Sequence, residues 1–153
     1  MSSMAARRRA REFALQGVYQ WLLSGNSVSQ IELHLGQESG FEEADREFFV
    51  ELMRGTLNNV EPLQEAFAPF IHRAVHELSP VERAVLLLST HELQAHPETP
   101  YRVIINEAIE LAKGYGGTDG HRFVNGVLDK LAAHLRPVEV GSRRSGGKGR
   151  NAE

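Results

Sequence analysis

Ser79-Pro80-Val81-Glu82-Arg83-Ala84-Val85-Leu86-Leu87-Leu88-Ser89-Thr90-His91-Glu92-Leu93 carries both a helix start and a buried helix body in one run. Ser79 is a capping residue type, Pro80 occupies the first helical position, where an N–H has no partner to lose, and Glu82 stands where it closes a capping box. Behind that start, Val81, Ala84, Val85, Leu87, Leu88 and Leu93 make the segment up to His96 apolar enough to require enclosure on most sides. This is the expected central core helix, with its neighbours packed around it.

Downstream, Thr99-Pro100 repeats the cap-plus-proline start for a helix over Tyr101 to Lys113, with Val103, Ile104, Ala108, Ile109 and Leu111 as its buried set. A glycine-rich loop spans Gly114 to Gly120, and a last helix runs from His121 to Leu135 before Pro137. Upstream, Leu63, Phe67, Phe70 and Ile71 form a stripe from about Val60, and Pro69 inside it predicts a kink or an early end. Glu42 to Asn58 places Phe48, Phe49, Leu52, Met53 and Leu57 at helical spacing behind an acidic first turn. A short helix capped by Ser27 extends to Gly36. From Ala5 to Leu23, Ala10, Phe13, Ala14, Gly17, Val18 and Trp21 fall on one arc, and Arg8, Arg9, Glu12, Gln16, Tyr19 and Gln20 on the opposite one. Nothing alternates as a strand does. The fold class is all-α, a compact helical bundle of about six to seven helices.

The 153 residues suit one domain, residues 1–137, that buries roughly two-thirds of its unfolded surface. Charge is unevenly placed. Residues 1–12 carry four Arg against Glu12, residues 13–135 carry eight cations against seventeen acids, and residues 136–153 carry five against two, for a net −3. A basic block on an acidic body is the pattern of a polyanion-binding edge. Four arginines at a helix start also oppose the helix dipole at some tenths of a kcal/mol each, a cost that a binding role would offset. With no cysteine, disulfides, thiolate metal sites and a cysteine nucleophile are excluded. No apolar run reaches the roughly eighteen residues of a membrane span, so a cytoplasmic protein is expected. Residues 138–153 have little to bury and are expected to form a disordered basic tail, either merely solubilising or adding nonspecific RNA affinity.

Catalytic constellations are not found. His91 and His96 stand five apart, whereas the His-Glu-x-x-His motif places both imidazoles on one helix face at a spacing of four, so they read as structural or surface histidines. The loop Gly114-Tyr115-Gly116-Gly117-Thr118-Asp119-Gly120 lacks the Gly-Lys-Ser/Thr of a phosphate loop and follows a helix instead of a strand. Glu107 and Glu110, three apart, read as a solvated face. No enzyme activity, cofactor or metal is expected. By contrast, the start of the last helix offers free N–H groups beside Lys113 and Arg122, and Phe123 there is open to two readings, a base-stacking ring or a core residue.

Several long stretches resemble the NusB family of bacterial antitermination factors: Ala5-Ala6-Arg7-Arg8-Arg9-Ala10-Arg11-Glu12 with Gln16 and Tyr19-x-Trp21, Val81-Glu82-x-Ala84-Val85-Leu86, Asn106-Glu107-Ala108-Ile109-Glu110-Leu111-Ala112-Lys113, and His121-Arg122-Phe123-Val124-Asn125-Gly126-Val127-Leu128-Asp129-Lys130. The resemblance spans about Ala5 to Pro137. It implies two packed helical subdomains and binding to the boxA element of ribosomal-operon RNA, jointly with a small-subunit ribosomal protein called NusE in this role. Other Nus factors and RNA polymerase complete the assembly, which suppresses termination. It also implies an RNA edge of Arg7, Arg8, Arg9, Arg11, Gln16, Lys113, Asp119, Arg122 and Phe123, with Tyr19 and Glu82 facing the ribosomal protein. The same fold fronts certain ribosomal-RNA cytosine methyltransferases, for whose α/β domain this chain leaves no room. A helical adaptor without RNA contact is the alternative, and it predicts no salt-dependent RNA binding.

Overall fold

A computed structural model describes residues 2–142. In chain order its α-helices are α1 (Met4–Ser24), α2 (Val28–Gly36), α3 (Arg46–Leu57), α4 (Val60–Phe67), α5 (Pro80–Ala95), α6 (Tyr101–Tyr115) and α7 (Gly120–Leu135), followed by a further helical segment over 137–142, with 3-10 turns at Phe41–Glu43, Ala68–Phe70 and Val75–Glu77. The described residues contain no strand.

The local signals act as their chemistry dictates. Ser79 Oγ accepts from the Glu82 N–H at 3.1 Å while Glu82 Oε1 accepts from the Ser79 N–H at 3.3 Å, the reciprocal pair that satisfies two donors at the start of α5. Ser27 and Gln30 build the same box on α2. Gly25, at φ 71°, takes the left-handed conformation that ends α1 and returns its N–H to the Trp21 carbonyl. Pro69 ends α4 at Phe67, and the chain continues as a 3-10 turn. Two boundaries differ from expectation. The helix foreseen from Glu42 starts at Arg46, because the Asp45 carboxylate caps the Phe48 N–H and resets the chain after the turn at Phe41. Gly114, foreseen in the loop, lies within α6.

Burial is continuous on α5 from Ala84 to Leu93, and α1, α3, α4, α6 and α7 pack on it. Helices α1 to α3 form one packed group and α4, α6 and α7 the other, joined through α5 in one apolar core. Close approach of α1 and α3 depends on Gly17, where an added Cβ would lie 2.3 Å from Met53 Sδ. At the far end, Arg136 is 9% exposed and donates to the carbonyls of Leu93 at 3.1 Å and His96 at 2.8 Å, satisfying acceptors that the end of α5 leaves open. Residues 137–142 are helical, Val140 is buried, and Glu139 accepts from the Tyr101 N–H at 2.9 Å. The expectation of disorder from Val138 is thereby corrected for residues 138–142. The rest of the expected tail, 143–153, lies outside the described residues.

Candidate nucleic-acid interface

The four arginines of α1 divide according to helix face. Arg8 points outward, its side chain 57% exposed, and donates a two-bond fork to Glu107 on α6 at 3.1 and 2.8 Å. That hydrogen bond, then the carboxylate's charge, raises the guanidinium pKa above its ordinary value. Arg9 reaches Glu43 at 3.3 Å, and Arg7 lays its guanidinium 3.8 Å over the Phe48 ring. Arg11 differs: its side chain is 7% exposed and clamps Glu92 on α5 with bonds of 2.9 and 2.6 Å, with a further contact to Glu107 at 3.4 Å. Counting Arg11 with the surface cations is corrected by this placement, because three residues beyond Arg8 the helix has rotated by a net of about 60° and carries the side chain from the α6 edge inward to Glu92 on α5. Glu107, expected on a solvated face, is a half-buried acceptor for two arginines.

The second expected cluster stands further along the same side. Gln16 meets the Tyr115 hydroxyl at 3.4 Å, eight residues and about 12 Å of helix beyond Glu107 on α6. The four-residue turn 116–119 then leads into α7. Arg122 and Asp119 are both 79% exposed and 4.0 Å apart, and Lys113 lies 3.9 Å from Glu110, so these cations are only loosely held. Phe123 is half-buried, and the Arg73 guanidinium sits 4.1 Å over its ring. The structure therefore places Phe123 against the core and a cation together, with Arg7, Arg8 and Arg9 at a separate position along α1. Between the clusters, Tyr19, Gln16, Val81 and Tyr115 line one groove with Leu15 and Leu35, and Glu82 follows Val81 at its edge. Glu82 is 18% exposed, holds the α5 capping box and lies 4.0 Å from Arg73. Sequence reasoning missed Arg73, Glu92 and Phe48, whose partners lie far away in the chain and leave no periodic signal.

The histidines also meet in a way that helical spacing hides. Helix α5 ends at Ala95, so His96 has φ −122° and ψ 66°, and its ring folds back toward His91 with centroids 5.9 Å apart. Both imidazoles engage Glu51 on α3, His91 at 2.8 Å, and His96 also meets Glu98 at 3.0 Å. Burial opposes charge on His96, yet its two carboxylate partners raise its pKa above the ordinary histidine value. The spacing rule assumed a helix that stops one residue too soon.

An all-helical bundle with a cationic helix edge and an adjoining apolar groove defines a class of binding proteins assembled by helix packing. Within that class, the NusB family model matches residues 8–133, and the chain belongs to the NusB family. It is 76% identical to the transcription antitermination protein NusB of Aromatoleum aromaticum over 145 residues, covering 95% of this chain and 100% of that one. It is 69% identical to the NusB of an Azoarcus species over 146 residues, 95% and 94% of the two chains. Among solved structures, T. maritima NusB superimposes with a TM-score of 0.76 at 31% identity, covering 86% of this chain and 92% of that one. A NusB bound to NusE and double-stranded RNA has the same fold, with a TM-score of 0.77 at 24% identity over 86% and 99% of the two chains. No helix among the described residues is long and apolar enough to cross a membrane.

Proposed function

We propose that this protein is a non-catalytic, cytoplasmic transcription antitermination factor that binds boxA-type RNA together with a small-subunit ribosomal protein acting as NusE. The observation that carries the reading is the split of α1: its apolar face and Arg11 anchor the helix in the core, while Arg8 and Arg9 point outward and Arg7 lies over the Phe48 ring beside them. A rigid helix presenting a guanidinium row positions phosphates, because charge and fork geometry both match a phosphate oxygen pair. Lys113, Asp119, Arg122 and Phe123, with Gln16 between the clusters, extend the edge along α6 and α7, and Phe123 contributes a ring for an unpaired base. The related complex of NusB, NusE and RNA supports the pairing of partners. On this reading the groove beside Tyr19 and the carboxylate of Glu82 receive the basic ribosomal protein, and the acidic body favours that partner over RNA elsewhere. The bound pair joins other Nus factors on RNA polymerase and suppresses termination.

Fluorescence anisotropy with a labelled boxA RNA, with and without the ribosomal protein over a salt series, tests the reading. Three phosphate contacts give a slope of log K against log salt of about −2. Affinity is expected to rise when the partner is present. Equal and negligible binding in both conditions would refute the RNA role and leave the adaptor reading.

A further inference from the structure

We propose that Glu51, His91 and His96 form a binding site for a divalent transition-metal ion of the zinc class, one that clamps α3 to the C-terminal end of α5. Each of these residues supplies one ligand atom, and the three atoms lie within 4.8 Å of one another. Ligand atoms about 2.0–2.2 Å from a tetrahedral zinc ion stand roughly 3.3 Å apart, so side-chain movements of about 1 Å close the set. Two imidazoles and one carboxylate suit zinc, cobalt, nickel or copper, whereas calcium and magnesium take oxygen donors.

The surroundings are organised around these rings. Both histidines present Nε2 to the same carboxylate, His91 at 2.8 Å from Glu51 Oε2 and His96 against Glu51 Oε1. The other nitrogen of His96, Nδ1, is held by Glu98 Oε1 at 3.0 Å, and a carboxylate behind a ligating imidazole fixes its tautomer and orientation. His91 occupies the hollow left by Gly55, where an added Cβ would lie 2.1 Å from its Cε1. His96 packs edge-on against Phe48 with centroids 5.5 Å apart, and its own carbonyl is tied to Arg136. Glu51 is 42% exposed, so an ion has a path from solvent and a fourth position open to water. The clamp lies below the arginine edge, because Arg7 covers the same Phe48 ring at 3.8 Å.

The test uses the full chain, stripped with a chelator and titrated with Zn2+ alone by calorimetry and thermal melting, and with Co2+ by visible absorption. One saturating equivalent is expected, with a melting temperature that climbs with zinc concentration and a cobalt spectrum of tetrahedral intensity. Glu51→Gln sits at a partly exposed position and keeps an oxygen acceptor for the imidazoles, so it folds and loses zinc affinity by more than about tenfold. Glu98→Gln, behind the ligand, weakens zinc about ten- to a hundredfold. His34→Gln, on the exposed face of α2, changes nothing. Absence of saturable uptake overturns the site, as does uptake that survives Glu51→Gln or disappears with His34→Gln.

Discussion

Arg11 and Arg8 are neighbours on one helix with opposite expected phenotypes, and the contrast tests how α1 is built. Truncating Arg11 to Ala removes both bonds to Glu92 and leaves that carboxylate 5% exposed with no guanidinium bonded to its oxygens. Breaking one side of such a pair costs about 3–5 kcal/mol. At about 2–4 °C per kcal/mol for a chain of this size, the melting temperature falls by roughly 6–20 °C. Arg8→Ala removes a guanidinium that is 57% exposed and worth at most about 1 kcal/mol in its pair, and the half-buried Glu107 keeps Arg11 as a neighbour. Urea unfolding measures both changes. In RNA titrations the order reverses: Arg8→Ala flattens the salt slope by about 0.7, the share of one phosphate contact.

The double variant Arg11→Met/Glu92→Met separates folding from binding. Two apolar side chains of similar length replace the buried pair, so stability returns close to the starting value or above it. RNA affinity is then expected to fall by less than in Arg8→Ala, through the lost hold of Arg11 on Glu107 alone. A folded double variant that binds RNA as poorly as Arg8→Ala would show that Arg11 reaches the RNA, and the division of α1 into an anchoring and a presenting face would be wrong.

Other substitutions probe the remaining assignments. Glu82→Gln keeps the capping box, since Gln serves at that position, so stability should change by less than about 0.5 kcal/mol while affinity for the ribosomal protein falls; unchanged partner affinity by calorimetry would remove Glu82 from that surface. Phe123→Leu keeps an apolar contact with the core and loses the ring, so RNA affinity should drop roughly 5- to 150-fold, a stacking loss of about 1–3 kcal/mol, with under about 1.5 kcal/mol of destabilisation. Stability lost with full RNA affinity would return Phe123 to the core alone. Arg136→Ala strips donors from the carbonyls at the end of α5 and should cost roughly 2–5 kcal/mol in urea unfolding. Arg136→Lys should not restore it, because an ammonium lacks the planar fork.

What the sequence made legible was local. Ser79, Pro80 and Glu82 act within one helical turn, Pro69 acts on the turn it interrupts, and apolar periodicity needs only one helix to express itself, so element types and the central place of α5 could be read directly. The Asp45 cap escaped because the acidic run before it already resembled a first turn. The candidate site was legible only as a list. Whether Arg11 faces water or Glu92, 81 residues away, depends on how α1 rotates against α5, and that rotation is set by Gly17 meeting Met53 and by the apolar arc as a whole.

The same physics explains why charge counting overstated the arginine block. A run of four cations measures the field that a distant phosphate would feel, but each guanidinium also seeks the nearest carboxylate, and this chain supplies Glu43, Glu92 and Glu107 within reach. Those pairs hold the side chains in position before any ligand arrives, so less rotamer entropy is lost when a phosphate replaces a carboxylate. Arg8 is the clearest case: its partner Glu107 is itself held by Arg11, so the carboxylate stays compensated while Arg8 turns outward. A buried arginine that binds no RNA would thus leave a neighbouring one free to do so. Glu107→Gln should accordingly leave Arg8 less ordered while removing a competing charge, and the RNA titration would reveal which of the two effects prevails: tighter binding if competition dominates, weaker binding if preorganisation does.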